Sequence, residues 1–247
     1  MLIASPRHTP EDLRVWATRE RFDDRLGWSA VMDRRIESAR DAIIDFASHG
    51  PCYLGVSWGK DSVVVAALAI ASGVHVPLVW VRVEAVSNPD CVLVRDTFLA
   101  RFPHVEYAEI TIACRRDRTG RPVGTGRLET GFAQASERFG HRYISGVRSE
   151  ESGARALREA VYGIATERTC APITRWSGGE VFAYLYREGL PVHPAYACSF
   201  GGALDRERIR VSSLGGQRGT GHGRREWEWA YYRDEMMALG EAVAVVR

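Results

Sequence analysis

Six consecutive residues, Ser57-Trp58-Gly59-Lys60-Asp61-Ser62, place two hydroxyls, an ammonium and a carboxylate between two apolar runs. Cys52-Tyr53-Leu54 precedes them, and Val63 to Ile70 follows. A strand that runs into glycine and then into a helix presents a concave row of backbone N–H groups. Those donors, with the field of the helix N-terminus, suit an anion. Gly55 and Gly59 allow tight geometry and close approach. Ser57 and Ser62 add hydroxyl donors, and Lys60 adds a positive point charge. Asp61 is out of place for phosphate alone. It makes sense as a ligand of magnesium or as the partner of a nucleotide hydroxyl. The plainer alternative is a structural turn with a surface lysine.

The segment is not a Walker A loop, which requires glycine five residues before Gly59 and serine or threonine after Lys60. Those positions hold Leu54 and Asp61. The dinucleotide fingerprint GxGxxG is also missing from Gly55 to Gly59. A second group of charges lies in Gly146-Val147-Arg148-Ser149-Glu150-Glu151-Ser152, with Arg155 beyond it. Arginines just past a strand end point into the crevice where open sheets bind ligands. The alternative for Arg148 and Arg155 is a pair of internal salt bridges with Glu150 and Glu151. Five widely spaced cysteines (Cys52, Cys91, Cys114, Cys170 and Cys198) contain no CxxC pair, so a disulfide framework and a zinc finger are both unsupported. Cys170, Cys198 and His193 supply at most three metal ligands.

Ser57 to Ser62 resembles the PP-loop of the ATP pyrophosphatase superfamily, written SGGxDS, with Trp58 in place of the first glycine of the pair. Its Lys-Asp-Ser ending is most similar to the phosphoadenosine phosphosulfate (PAPS) reductase branch. Gly146 to Ser152 with Arg155 resembles that branch's GxRxxES segment. Pro172 to Leu185 resembles its P[IL]xxWxxxDVWxYL segment, and Gly189 to Tyr196 the LPxNPLY continuation. The three motifs occur in the branch's order over roughly residues 48–198. The resemblance implies a three-layer α/β/α fold of the adenine nucleotide alpha hydrolase-like (HUP) type that binds ATP with magnesium.

It also implies cleavage of ATP between the α and β phosphates, adenylylation of an unidentified acceptor and release of pyrophosphate, in sulfur or nitrogen transfer. Ser57, Trp58, Gly59, Lys60, Asp61 and Ser62 would contact the nucleotide, with Asp61 also holding the metal. Arg148 and Arg155 would neutralise phosphate charge. Lys60, Asp61 and Arg148 are the candidate catalytic residues. His222, Arg224 and Arg225, in a glycine- and arginine-rich stretch, are further candidate contacts. The branch's reductases use a C-terminal cysteine, and none follows Cys198 here. Its iron–sulfur subgroup needs a CC pair and a CxxC, so no cluster is expected. Two alternatives stay open: a sulfonucleotide reductase with relocated cysteine chemistry, and a non-catalytic nucleotide-binding subunit of a nucleic-acid modification complex.

The elements that must position these groups follow from periodicity. Pro10-Glu11-Asp12 after Thr9 starts a helix, and Met32, Ile36, Ala39, Ile43 and Ala47 recur at helical spacing, so residues 10–50 form an N-terminal helical layer. Residues 52–56, 76–81, 105–112 and 143–147 read as strands. Residues 60–71, 88–101, 131–139 and 151–161 read as helices between or beyond them, a βαβ rhythm that predicts a mostly parallel sheet. Residues 115–128 read as a loop. Ser177 with Glu180 predicts a capping box, and 226–239 a last helix. The glycine-rich stretch 199–225 is long for a plain loop and suits a lid.

The 247 residues suit a single domain. A net charge of +2 says little about partners. Arg115, Arg116, Arg118, Arg121 and Arg127 could face nucleic acid, but they lack the interleaved aromatics that stack bases. No stretch approaches the roughly 18 apolar residues needed to span a bilayer. The first residues lack the order of a secretory signal. The expectation is a cytoplasmic protein without membrane contact, and a homodimer is the default assembly.

Overall fold

A computed structural model describes residues 1–84, 86–113, 115–116, 118, 122–124, 128–214 and 224–244. Two helices lead, α1 (Pro10–Gly27) and α2 (Ala30–Ser48). Thr9 and Asp12 close a capping box on α1, each side chain satisfying the other residue's backbone N–H. The chain then alternates β1 (Tyr53–Val56), α3 (Lys60–Ala71), β2 (Leu78–Val83), α4 (Cys91–Arg101) and β3 (Tyr107–Ile112). A short antiparallel ribbon, β4 (Arg115–Arg116) and β5 (Pro122–Gly124), stands where a loop is expected. There follow α5 (Leu128–Phe139), β6 (Tyr143–Ile144), α6 (Gly153–Tyr162), β7 (Thr169–Cys170) and α7 (Gly178–Arg187). Ser177 and Glu180 form the expected capping box on α7. The last helix is in fact two, α8 (Arg224–Tyr231) and α9 (Arg233–Ala244).

The five main strands form one parallel sheet in the order β3-β2-β1-β6-β7. Alternation along each strand sends side chains to opposite faces. Leu54, Val56, Leu78 and Trp80 face the larger core, which they share with residues of α2, α3, α4 and α7. Tyr53, Val79 and Ile110 face the smaller core, closed by Ala135 of α5. Close approach of α5 depends on Gly131, where a Cβ would lie 2.3 Å from Val81 Cγ1. The result is a three-layer α/β/α fold. Helix α3 is apolar on nearly every side (Val63 to Ala69 are all buried), as a helix enclosed by other elements must be. Among the described residues, no helix is long and apolar enough to cross a membrane.

The strand order determines where ligands can go. The chain winds outward from β1 to β3, then returns to the other side of β1 to add β6 and β7. Such a reversal leaves a crevice outside the carboxyl ends of the two strands that flank it. Here those strands are β1, which ends at Val56, and β6, which ends at Ile144.

Candidate phosphate-binding crevice

The two motifs read from sequence meet at this switch point. The backbone after β6 presses against the start of α3. A Cβ on Gly146 would lie 2.8 Å from the Asp61 carbonyl carbon and 2.9 Å from its oxygen, so a side chain there forces a shift. The turn between β1 and α3 is bound together by Ser62. Its hydroxyl donates to the Gly59 carbonyl at 3.0 Å and accepts from the Ser57 backbone N–H at 3.1 Å. Ser62 thus works inside the turn, while Ser57 and Asp61 remain partly exposed.

Trp58 adopts φ +59°, the left-handed region that glycine enters without strain. Its side chain is fully buried, packed against Trp80, Phe98 and Tyr107. The indole N–H makes no well-formed hydrogen bond, although the Tyr107 hydroxyl feels it. Trp58, placed by the resemblance among the nucleotide contacts, fills the core in this structure.

Lys60, Asp61 and Arg148 form one charged cluster. Lys60 Nζ donates to Asp61 Oδ2 at 2.9 Å, and Arg148 Nε donates to Asp61 Oδ1 at 2.6 Å. Arg148 Nη1 also donates to the Trp176 carbonyl at 3.2 Å and pairs with Glu150. Both cations are buried, at 3% and 1% exposure. Burial pushes the Lys60 ammonium below its usual range, and Asp61 only partly offsets this. Burial would raise the Asp61 carboxyl, but Lys60 and Arg148 together hold it below the ordinary value. Burial likewise disfavours the Arg148 guanidinium, yet Asp61 and Glu150 raise its pKa overall.

Arg155 pairs with Glu151, and Arg210 approaches the same residue, 3.2 Å from its carbonyl and 3.7 Å from its carboxylate. The internal salt bridges envisaged for Arg148 and Arg155 therefore exist, and a third partner, Asp61, joins Arg148 to the turn. Four cations (Lys60, Arg148, Arg155 and Arg210) stand against three carboxylates (Asp61, Glu150 and Glu151), a surplus of one positive charge.

Two residues of the cluster are not among the expected site residues. Tyr196 accepts from the Lys60 backbone N–H at 3.1 Å, and its ring lies 5.7 Å from Lys60 Nζ. Arg210 is one of many arginines in its stretch, and only the fold selects it. The first part of the 199–225 stretch is packed onto the body: Ile209, Val211 and Leu214 are buried, and Leu214 N–H donates to the Val86 carbonyl at 2.7 Å. His222 lies outside the described residues, as do the side chains of Arg224 and Arg225, which begin α8.

Cys170 and Cys198 are buried free thiols whose pKa values burial pushes up to about 12. His193 is buried and its pKa is held down at about 3. Among the described residues, no group of three or more His, Cys, Asp or Glu is placed to hold a metal ion. Asp61, the expected magnesium ligand, has both carboxylate oxygens engaged, one by Lys60 Nζ and the other by Arg148 Nε. No protein-family model matches this chain, and no curated protein matches it.

Proposed function

We propose that the crevice between β1 and β6 binds ATP through its phosphates, and that the protein cleaves it between the α and β phosphates to adenylylate an oxygen of an acceptor. The observation that carries this reading is the convergence of Lys60 and Arg148, from opposite sides of the switch point, on the single carboxylate of Asp61. Adenine as the base, and the finer assignment to the adenine nucleotide alpha hydrolase-like fold, come from the resemblance of residues 57–62, 146–155 and 172–196 to the PAPS reductase-like branch.

The chemistry asked of the protein is mainly charge neutralisation and alignment. Lys60 and Arg148 would take the oxygens of the leaving pyrophosphate. Arg155 and Arg210, now held by Glu151, stand next to them as further phosphate partners. Asp61 would then turn from internal counter-ion to holder of magnesium, which supplies positive charge against the phosphate oxygens. A relocated-cysteine reductase is disfavoured by the state of Cys170 and Cys198, because a thiol pushed up to about 12 supplies little thiolate near neutral pH.

The test is calorimetric titration of ATP with magnesium, followed by pyrophosphate release across a panel of carboxylate and carbonyl acceptors. Lys60→Ala is expected to weaken ATP binding at least tenfold. No binding at millimolar ATP refutes the reading. Tight binding with no pyrophosphate from any acceptor favours the non-catalytic nucleotide-binding subunit.

A further inference from the structure

A second basic concavity has lining residues of its own and borders the Lys60–Asp61–Arg148 cluster at Trp176, whose carbonyl accepts from Arg148 Nη1 at 3.2 Å. One wall is a stripe of α2, formed by Val31, Arg34, Arg35 and Ser38. The other is the chain on either side of β7, where Ile164, Pro172, Arg175 and Trp176 line the space. Pro172 and Trp176 are buried and give it an apolar floor. Its volume is about 270 Å³. Sites for drug-sized ligands run to roughly 300–1,000 Å³, so this space suits a one-ring molecule rather than a nucleotide.

Three guanidiniums surround it, and two are already fixed. Arg35 Nε donates to Glu180 at 2.9 Å, and Arg175 Nε donates to Glu159 at 2.6 Å. Each is anchored through Nε, and the terminal nitrogens have no partner among the described residues. Arg34 has no carboxylate partner among the described residues. Three cations therefore face two carboxylates, with unused donors in the fork geometry that matches an oxyanion. Arginines held in place before binding lose less conformational freedom when a ligand arrives.

We infer that this concavity is a binding site for a small organic anion: a phosphate or carboxylate carried on a flat apolar group. The oxyanion meets Arg34, Arg35 and Arg175, and the apolar part lies on Pro172, Trp176, Ile164 and Val31. The site is distinct from the crevice at the switch point and does not depend on the function proposed for it.

Phenyl phosphate, benzoate and inorganic phosphate are titrated calorimetrically into the full chain. Saturable binding of phenyl phosphate or benzoate is expected, and the stronger of the two identifies the preferred oxyanion. The preferred aromatic probe should bind at least fivefold more tightly than inorganic phosphate and weaken as salt rises. Arg34→Ala, a change at an exposed residue, should weaken it at least threefold, and Arg34→Ala with Arg175→Ala at least tenfold. Lys60→Ala should leave it within twofold. Three results overturn the inference: no saturable binding of either aromatic probe, unchanged affinity in Arg34→Ala, or affinity lost in Lys60→Ala but kept in the arginine variants, which places the anion in the other crevice.

Discussion

If Arg148 and Asp61 act as one unit across the switch point, removing either deprives the other of a close charged partner. Arg148→Met deletes the 2.6 Å bond to Asp61, the 3.2 Å bond to the Trp176 carbonyl and the pair with Glu150. Removing one member of a buried pair costs about 3–5 kcal/mol. Two features favour the lower end. Asp61 keeps Lys60 at 2.9 Å, and the Asp61 and Glu150 side chains are 18% and 44% exposed, so water screens what remains. The expected loss is about 3 kcal/mol, or roughly 6–12 °C in Tm for a chain of this size. Asp61→Asn should cost about 2 kcal/mol, the scale of one charge-assisted hydrogen bond. The double variant should be more stable than the sum of the two by about 1.5 kcal/mol. Urea denaturation followed by tryptophan fluorescence reads all four proteins. A loss below about 0.5 kcal/mol for Arg148→Met, or additivity within about 0.5 kcal/mol, refutes the coupling.

Three further outcomes follow from the same geometry. Gly146→Ala forces a Cβ to 2.8 Å from the Asp61 backbone and should cost about 1–3 kcal/mol as overpacking; a wild-type Tm would show that the two segments yield freely. Trp58→Ala should cost about 3–5 kcal/mol as a lost core side chain, while Trp58→Gly, free of strain at φ +59°, should be the more stable of the two by up to about 1 kcal/mol; the reverse order in urea denaturation refutes the strain. His193, held near a pKa of 3 by burial, binds fewer protons folded than unfolded between pH 3 and 6.5, so its stability contribution falls as pH drops through that window. At pH 5 the loss is about 2 kcal/mol relative to neutral pH, and a pH slope unchanged in His193→Asn would assign the effect elsewhere.

Sequence reasoning reached the elements whose signals are local. The helix start after Thr9 and the box at Ser177–Glu180 are visible as residue spacing and form as read, and Asp12 adds a box to the first. The apolar run of α3 and the three long strands were equally legible. Strand β7 was not: Thr169–Cys170 is two residues long, below the four to eight of a strand pattern, and the equally short β6 was reached only as the longer stretch 143–147. The ribbon of β4 and β5 was hidden for the same reason. The break between α8 and α9 carries no glycine or proline. It falls at Tyr232, whose hydroxyl donates to Asp90 at 2.8 Å across the chain. In the crevice, the resemblance of residues 146–155 to the GxRxxES segment selected Arg148 and strand-end logic agreed with it, but its bond to Asp61 joins residues 87 positions apart. Tyr196, although it ends the 189–196 segment, and Arg210 join the cluster through contacts that no local spacing records.

The sheet also has a mechanical character. Six residue pairs join β2 to β3 and three join β1 to β2, but two join β1 to β6. The crevice thus opens along a thin seam, with a stiff plate on one side and a narrow flap on the other. Lys60 and Asp61 belong to the plate, and Arg148 follows the flap. An anion held by both cations, as proposed, would act as a rivet through that seam, and its arrival would stiffen the sheet where the backbone itself does least.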